Sequence, residues 1–251
     1  MAGHTLLAVF AHPDDETSVG PLLARYAAEG HEVYLACVTS GQKGFRPHAG
    51  LPAGDELGAV RERELRDAAR ELGIHEPFLM GFQDQGISTH AAAEEVAAGL
   101  REIIGRTRAE VVVTWGPEGI TGHVDHRMTS NIATIVCQQR GLLEWKPSKL
   151  YYVAFPESRF VANPNPLNRK QVFLTVSDEL VTTEIDCRAY LDAGLAAIRS
   201  HKTQWRPERM EQVHSLYAKV FEGRVYLRLA LSSVAAPRNG AREQSIFQGL
   251  D

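Results

Sequence analysis

Nowhere in this chain do eighteen apolar residues follow one another, which excludes a helix long enough to cross a bilayer. The opening "MAGHTLLAVF" lacks the basic leader and long apolar run of a secretory signal, so a soluble cytoplasmic protein is expected. Charge of one sign is also missing. Against 27 Lys and Arg stand 31 Asp and Glu, with no basic cluster that would form a phosphate-binding face, and nucleic acid is excluded as a partner. Cysteine is scarce: Cys37, Cys137 and Cys187 stand alone, without the CxxC spacing of zinc or redox motifs, and are expected to be buried small hydrophobes. The GxGxxG turn of dinucleotide folds is absent after the first apolar run, and GxxxxGK[ST] occurs nowhere, so neither a nicotinamide cofactor nor a nucleoside triphosphate is supported.

What is present is a core. With 251 residues and 44% hydrophobic content the chain can bury a large α/β domain. Short apolar runs at 5–11, 32–39, 77–80, 110–115 and 149–155 have the length and the β-branched or aromatic content of buried strands. Between them, 56–73, 89–108 and 124–141 carry helical spacing with glycines at or past their ends. Pro21 either opens a first helix or kinks it. The alternation predicts right-handed βαβ units and hence a mostly parallel sheet covered by helices, a Rossmann-like three-layer α/β sandwich. From about Leu150 the chain is expected to extend this sheet and to pack helices 187–204 and 207–221 against it, within one domain spanning 1–251. The loops 41–56 and 156–170 are long and rich in Gly or Pro, and are expected to shape a pocket rim.

Ligands in open α/β sheets bind beyond the carboxyl ends of the strands. "AVFAHPDDETSVG" (8–20) leaves the first strand at that edge, crowding His12, Asp14, Asp15 and Glu16 around Pro13. "TWGPEGITGHVDHRMTS" (114–130) leaves the fourth and brings His123 and His126. A lone HxxH or DDE is most often a solvated helix face or cap; the meeting of both at one sheet edge is what points to a site. Imidazole and carboxylate together most often bind zinc, and an open catalytic site takes three protein ligands, which His12, Asp15 and His126 can supply. In a first helical turn the dipole favours the neutral His126 that a metal requires.

"AHPDDE" with "GHVDH" closely resembles the LmbE-like, or PIG-L-like, deacetylases, zinc-dependent hydrolases of N-acetylated sugars and their conjugates. The resemblance extends to "TSGQKG" (39–44), "RERELRDAARELGI" (61–74), "GFQDQGI" (81–87), "KLYYVAFP" (149–156), "IDCRAYLDAGLAAIRSHKTQ" (185–204) and "EQSIFQGL" (243–250). It implies that His12, Asp15 and His126 bind zinc, with other divalent metals left open, and that Asp14 is the catalytic base. It further implies that His123 faces the reacting carbonyl with Asp125 supporting it, and that Arg61 and Asp84 hold the substrate. On composition alone Arg61, beside Arg63, Arg66 and Arg70, reads as a solvated helix charge, and Asp84 as equally a turn cap. Glu16 has three readings: support of the metal shell, a helix cap or a substrate contact. His201 reads as a hydrogen-bonded structural histidine, and His4, His31, His48, His75, His90 and His214 as surface or packing residues. The implied activity is metal-dependent hydrolysis of a linear amide on an N-acetyl amino sugar or glycoconjugate. Cleavage of a larger acyl group from a thiol conjugate, and a non-catalytic binding relative, remain the alternatives. Sugar, aglycone and any homo-oligomer are left open.

Overall fold

The computed structural model describes residues 3–46, 50–162, 173–235 and 241–250. Seven strands, β1 (Thr5–Phe10), β2 (Glu32–Thr39), β3 (Phe78–Phe82), β4 (Val111–Thr114), β5 (Lys149–Val153), β6 (Thr183–Asp186) and β7 (Arg224–Ser232), form one sheet in the order β3-β2-β1-β4-β5-β7-β6. The first five are parallel neighbours, and β7 runs antiparallel between β5 and β6. The mostly parallel α/β sheet is as expected. The helices are α1 (Gly20–Ala28), α2 (Gly54–Leu72), α3 (His90–Thr107), α4 (Val124–Gln138), α5 (Leu191–Ser200) and α6 (Pro207–Ser215).

Both faces of the sheet are covered, which is why β1 is apolar at every residue from Leu6 to Phe10 rather than at alternate ones. Leu6, Ala8 and Phe10 face a core shared with α1, α2 and α5, whereas Leu7 and Val9 face one shared with α3 and α4. Cys37, Cys137 and Cys187 lie buried in these cores, and burial pushes the Cys137 and Cys187 thiols up to about 12. Pro21 falls in the first turn of α1 and opens the helix without a kink. Its ring meets Gly194 of α5, where an added Cβ would stand 2.7 Å from Pro21 Cγ.

Boundaries moved where local chemistry competed with periodicity. Helix α4 stops at Gln138, followed by a 3-10 turn at Arg140–Leu142, and the 207–221 segment is helical only to Ser215 before widening into a π-turn at Leu216–Val220. Strand β3 runs two residues past 80, and Gly81 at φ +71° sits where its register shifts against β2. The C-terminal part extends the sheet through β6 and β7, neither of which stands out as an apolar run. His4 and His75 have carboxylate partners after all, Glu110 at 3.1 Å and Glu32 at 2.5 Å; His48 lies outside the described residues.

A buried ion pair joins the tail to the sheet. Lys149, at the start of β5, is 1% exposed, and its ammonium donates to Glu243 Oε1 (2.7 Å) and to the Gln248 carbonyl (2.6 Å). Glu243 Oε2 accepts from the Tyr151 and Thr183 hydroxyls at 2.6 and 2.8 Å. This network ties the C-terminal segment to the end of the sheet opposite the β1 and β4 exits. Glu243→Ala would strand a buried ammonium and should cost about 3–5 kcal/mol. At about 2–4 °C per kcal/mol that lowers Tm by roughly 10 °C, measurable by calorimetry; a change under about 2 °C would show that water already solvates Lys149.

Candidate active site

The chain order reverses direction across the sheet between β1 and β4, and the crevice beyond their carboxyl ends holds both motifs. After β1, Asp14 adopts φ +104°, a left-handed conformation that is strained for a residue with a Cβ, before a 3-10 turn at Asp15–Ser18. Such strain costs about 1–3 kcal/mol. It is over-determined here: Asp14 N–H donates to Glu16 Oε2 (3.0 Å), Thr17 Oγ1 donates to the Asp14 carbonyl (2.6 Å), and Arg61 Nη2 donates to Asp14 Oδ1 (2.9 Å). Two of these involve charged groups, each worth about 1.5–3 kcal/mol, enough to hold the turn. After β4, the His123 side chain caps α4, its Nδ1 accepting from Asp125 N–H at 3.2 Å, and places His126 in the first turn.

His12, Asp15 and His126 come together. His126 Nε2 stands 3.3 Å from His12 Nδ1 and 3.2 Å from Asp15 Oδ1, and His12 Nδ1 stands 3.6 Å from Asp15 Oδ2. Tetrahedral bonds of about 2.0–2.2 Å would set neighbouring ligand atoms roughly 3.3–3.6 Å apart, and the separations of His126 Nε2 from His12 Nδ1 and Asp15 Oδ1 suit a divalent ion such as zinc. The outer contacts fit as well. His126 Nδ1–H donates to the Gly119 carbonyl (3.0 Å), leaving the Nε2 lone pair facing inward. His12 Nε2 faces Asp125 Oδ2 (3.2 Å) and Asp84 Oδ1 (3.5 Å), which turns Nδ1 toward the cluster. Asp15 Oδ2 accepts from Ala11 N, His12 N and the Trp115 indole at 2.9–3.2 Å, leaving Oδ1 for a cation. His123 also brings a ring nitrogen within reach of His12 and His126, and His12, Asp84 and Asp125 form a second such group on the other side of the ring.

Electrostatics suits this arrangement. Burial alone would protonate Asp15, but the His126 and His12 rings outweigh it and hold its carboxyl well below the usual range. Burial opposes charge on His12, yet Asp125, Asp15 and Asp84 together raise its pKa well above the ordinary value; a cation at Nδ1 would take the place of that proton. Burial, then the neighbouring His12 and His126, lower the pKa of His123. For Asp14 burial raises the pKa against the pull of Arg61, with Asp15 and Glu16 adding to the rise.

Three expected roles change in detail. Asp125 meets His123 through its backbone amide and not its carboxylate, which goes to His12 and to Gln85 N–H (2.6 Å). An Nδ1 that accepts this hydrogen bond leaves the donor proton of the neutral ring to Nε2. Arg61, 3% exposed, is no solvated helix charge and no free clamp: its guanidinium donates to the Gly41 carbonyl (2.7 Å), the Pro13 carbonyl and Asp14. Asp84 does line the cavity; its Oδ2 accepts from Lys43 N–H (3.1 Å), while its buried Oδ1 has no hydrogen-bond partner among the described residues. The cavity, of about 250 Å³, also receives His12, Asp14, His123 and His126. Lys43 to Phe45 of the 41–56 loop line it; 47–49 of that loop, and 163–170 of the other, lie outside the described residues.

Glu16 turns both carboxylate oxygens to protein partners. One oxygen accepts from Asp14 N–H and the other pairs with His201 Nε2 at 2.6 Å, both side chains being buried. Two residues on, Thr203 donates to both oxygens of buried Glu64, so "SHKTQ" docks onto α2 and the β1 exit together. Glu64 carried no signal of its own beyond its place in the helix.

A family model described as PIG-L, GlcNAc-PI de-N-acetylase, matches residues 7–137. The 1D-myo-inositol 2-acetamido-2-deoxy-alpha-D-glucopyranoside deacetylase of Acidothermus cellulolyticus is 32% identical, over 98% of this chain and 95% of its own length. Among solved structures, N,N'-diacetylchitobiose deacetylase from Pyrococcus horikoshii superposes with a TM-score of 0.67 at 20% identity, covering 90% of this chain and 83% of that one. The 4-carboxy-2-hydroxymuconate hydratase GalB of Pseudomonas putida does so at 0.68 and 17% identity, covering 93% and 99%. At such identities the superpositions establish the fold and not the chemistry.

His201→Ala would leave the Glu16 carboxylate buried without its counter-charge. Urea unfolding should then show a loss of about 3–5 kcal/mol, and His201→Gln, which keeps a donor, less than half of that. Equal losses in the two variants would mean that ring packing, and not the pair with Glu16, is what His201 contributes.

Proposed function

As the chain belongs to the PIG-L family of GlcNAc-PI de-N-acetylases, we propose that it is a zinc-dependent hydrolase that removes the acetyl group from an N-acetylated amino sugar or glycoconjugate. It would act in the cytoplasm as one domain over residues 1–251. The observation carrying this reading is the convergence of His12 Nδ1, Asp15 Oδ1 and His126 Nε2 beside Asp14 in a single cavity. Among the described residues no helix is long and apolar enough to cross a membrane.

An amide resists water, so its hydrolysis needs an activated nucleophile, a stabilised oxyanion and a proton for the departing amine. His12, Asp15 and His126 would hold a divalent ion, which when bound would supply Lewis acidity, lowering the pKa of water to about 7 and polarising a carbonyl. Asp14 takes the proton of the attacking water and returns it to the amine nitrogen. Its Oδ1 is anchored by Arg61, so Oδ2 is the oxygen free to shuttle, and burial raises its affinity for the proton. His123 donates from Nε2–H to the developing oxyanion, because the Asp125 amide occupies Nδ1 and fixes the tautomer. Asp125 orients His12 and, through its backbone, His123. Asp84 accepts a sugar hydroxyl at Oδ1, which faces His12 Nε2 at 3.5 Å without a hydrogen bond, while Arg61 acts through Asp14 and not on the substrate directly.

Purified protein should carry about one zinc per chain, and His126→Ala should empty the site in elemental analysis; stoichiometric metal at unchanged affinity in that variant would remove His126 from the ligand set. Acetate release separates the base from the ligands. Asp14→Asn should keep its zinc and lose about 10²–10⁴-fold in kcat, whereas Asp15→Asn should bind zinc more weakly. Near-native turnover by Asp14→Asn would show that the proton passes elsewhere.

A further inference from the structure

The cavity has two unlike sides, set by the sheet order. Toward β2 and β3 it is polar: Asp84 follows β3, and Gln42 and Lys43 follow β2, with Gln42 Oε1 accepting from Asp84 N–H and Lys43 N–H donating to Asp84. On the other side of the His12–His126 cluster, toward β5, it is lined by Ile120, Phe155, Phe173, Leu216 and Tyr217. Phe155 and Phe173 meet edge to face, with ring centroids 5.0 Å apart. Tyr217 presents only its ring, since its hydroxyl donates to the Thr17 carbonyl at 2.9 Å. At the rim of the same cavity, Phe45 holds an aromatic ring 72% exposed to water. An apolar surface beside a polar clamp orients a ligand with the same division, and an exposed ring at the mouth gains by covering it.

Resting on the deacetylase reading above, we propose that the substrate carries an apolar group, alkyl or aryl, on the side of the amino sugar that faces β5. The amide then lies over His12, Asp15 and His126, the sugar hydroxyls face Asp84, and the apolar group enters the arc of Phe155, Phe173, Leu216 and Tyr217. Among the described residues, the apolar arc leaves a polyol such as inositol few partners: Thr17, Ser18, Thr121, Gln204 and Trp205 are the other polar side chains lining the cavity beyond the His12–His126 cluster and the Asp84 side. The shared chemistry is apolar, and its source is either the aglycone or an acyl chain longer than acetyl.

The test is a panel of substrates for the zinc-loaded protein. Phenyl and octyl β-glycosides of N-acetylglucosamine are compared with free N-acetylglucosamine and with its inositol glycoside, and N-hexanoylglucosamine with N-acetylglucosamine. Each buried CH₂ contributes roughly fourfold in affinity, so at least about a tenfold gain in kcat/KM is expected in one series, and the series that gains identifies the source. No gain in either overturns the proposal. Phe173→Ala should narrow the ratio between apolar and polar substrates at least tenfold. Phe45→Ser, whose exposed site cannot disturb folding, should narrow it less. An unchanged ratio in both variants also overturns it. If no amide is cleaved at all, the deacetylase reading fails, and binding still reads the subsite: octyl β-glucoside, which has no amide, should quench tryptophan fluorescence in the wild type and bind at least tenfold more weakly to Phe173→Ala. Absence of binding overturns the subsite by itself.

Discussion

The two oxygens of Asp15 face different tasks, and the site depends on their separation. Oδ2 is saturated by two backbone amides and the Trp115 indole, which locks the carboxylate to the ends of β1 and β4 at once; Oδ1 is thereby aimed at His126. A carboxylate held by several N–H donors stays ionised even when buried. That ionised group stands where the strand order reverses, the one place on the parallel sheet at which loops diverge and leave room for a ligand.

Around this anchor the chemistry is divided by orientation more than by composition. Asp14 and Asp15 are adjacent and chemically identical, yet one points at the histidines and the other at Arg61. The left-handed backbone at Asp14 makes the difference, and Glu16, Thr17 and Arg61 sustain it. Arg61 is thus part of the apparatus that sets the position and basicity of Asp14, despite lying on a helix surface crowded with solvated arginines. Glu16 and His201 extend that apparatus 185 residues along the chain, bringing the α5 terminus under the β1 exit. The same logic appears at the opposite end of the sheet, where Glu243 secures the tail by neutralising Lys149.

The histidines show how neighbours define function. His123 and His126 are three residues apart on one helix start, but His126 donates from Nδ1 to Gly119 and offers Nε2 as a lone pair, while His123 accepts at Nδ1 and offers Nε2 as a donor. In the proposed reaction one ring would meet a cation and the other an oxyanion, through the backbone group that each Nδ1 meets.

The residues that cluster were legible in the sequence, because local rules suffice for them: apolar runs bounded by glycine mark buried parallel strands, and strand ends in such sheets converge. His12, Asp15, His126, Asp14 and His123 could therefore be named from two short motifs. Pro21 and the cysteines followed from their own geometry and polarity. Strand β7 was less visible, since its antiparallel pairing shows only in register with β5 and β6, and helix ends shifted wherever a turn offered competing hydrogen bonds. What only the tertiary structure decided is which atom meets which: that Asp125 serves His123 by its amide and His12 by its carboxylate, that Arg61 grips Asp14, that Glu16 joins Asp14 to His201, and that the cavity is apolar toward β5. Sequence spacing specifies which residues arrive at an edge. The direction in which each side chain points there, and hence its charge and its proton, depends on partners contributed by segments far away in the chain.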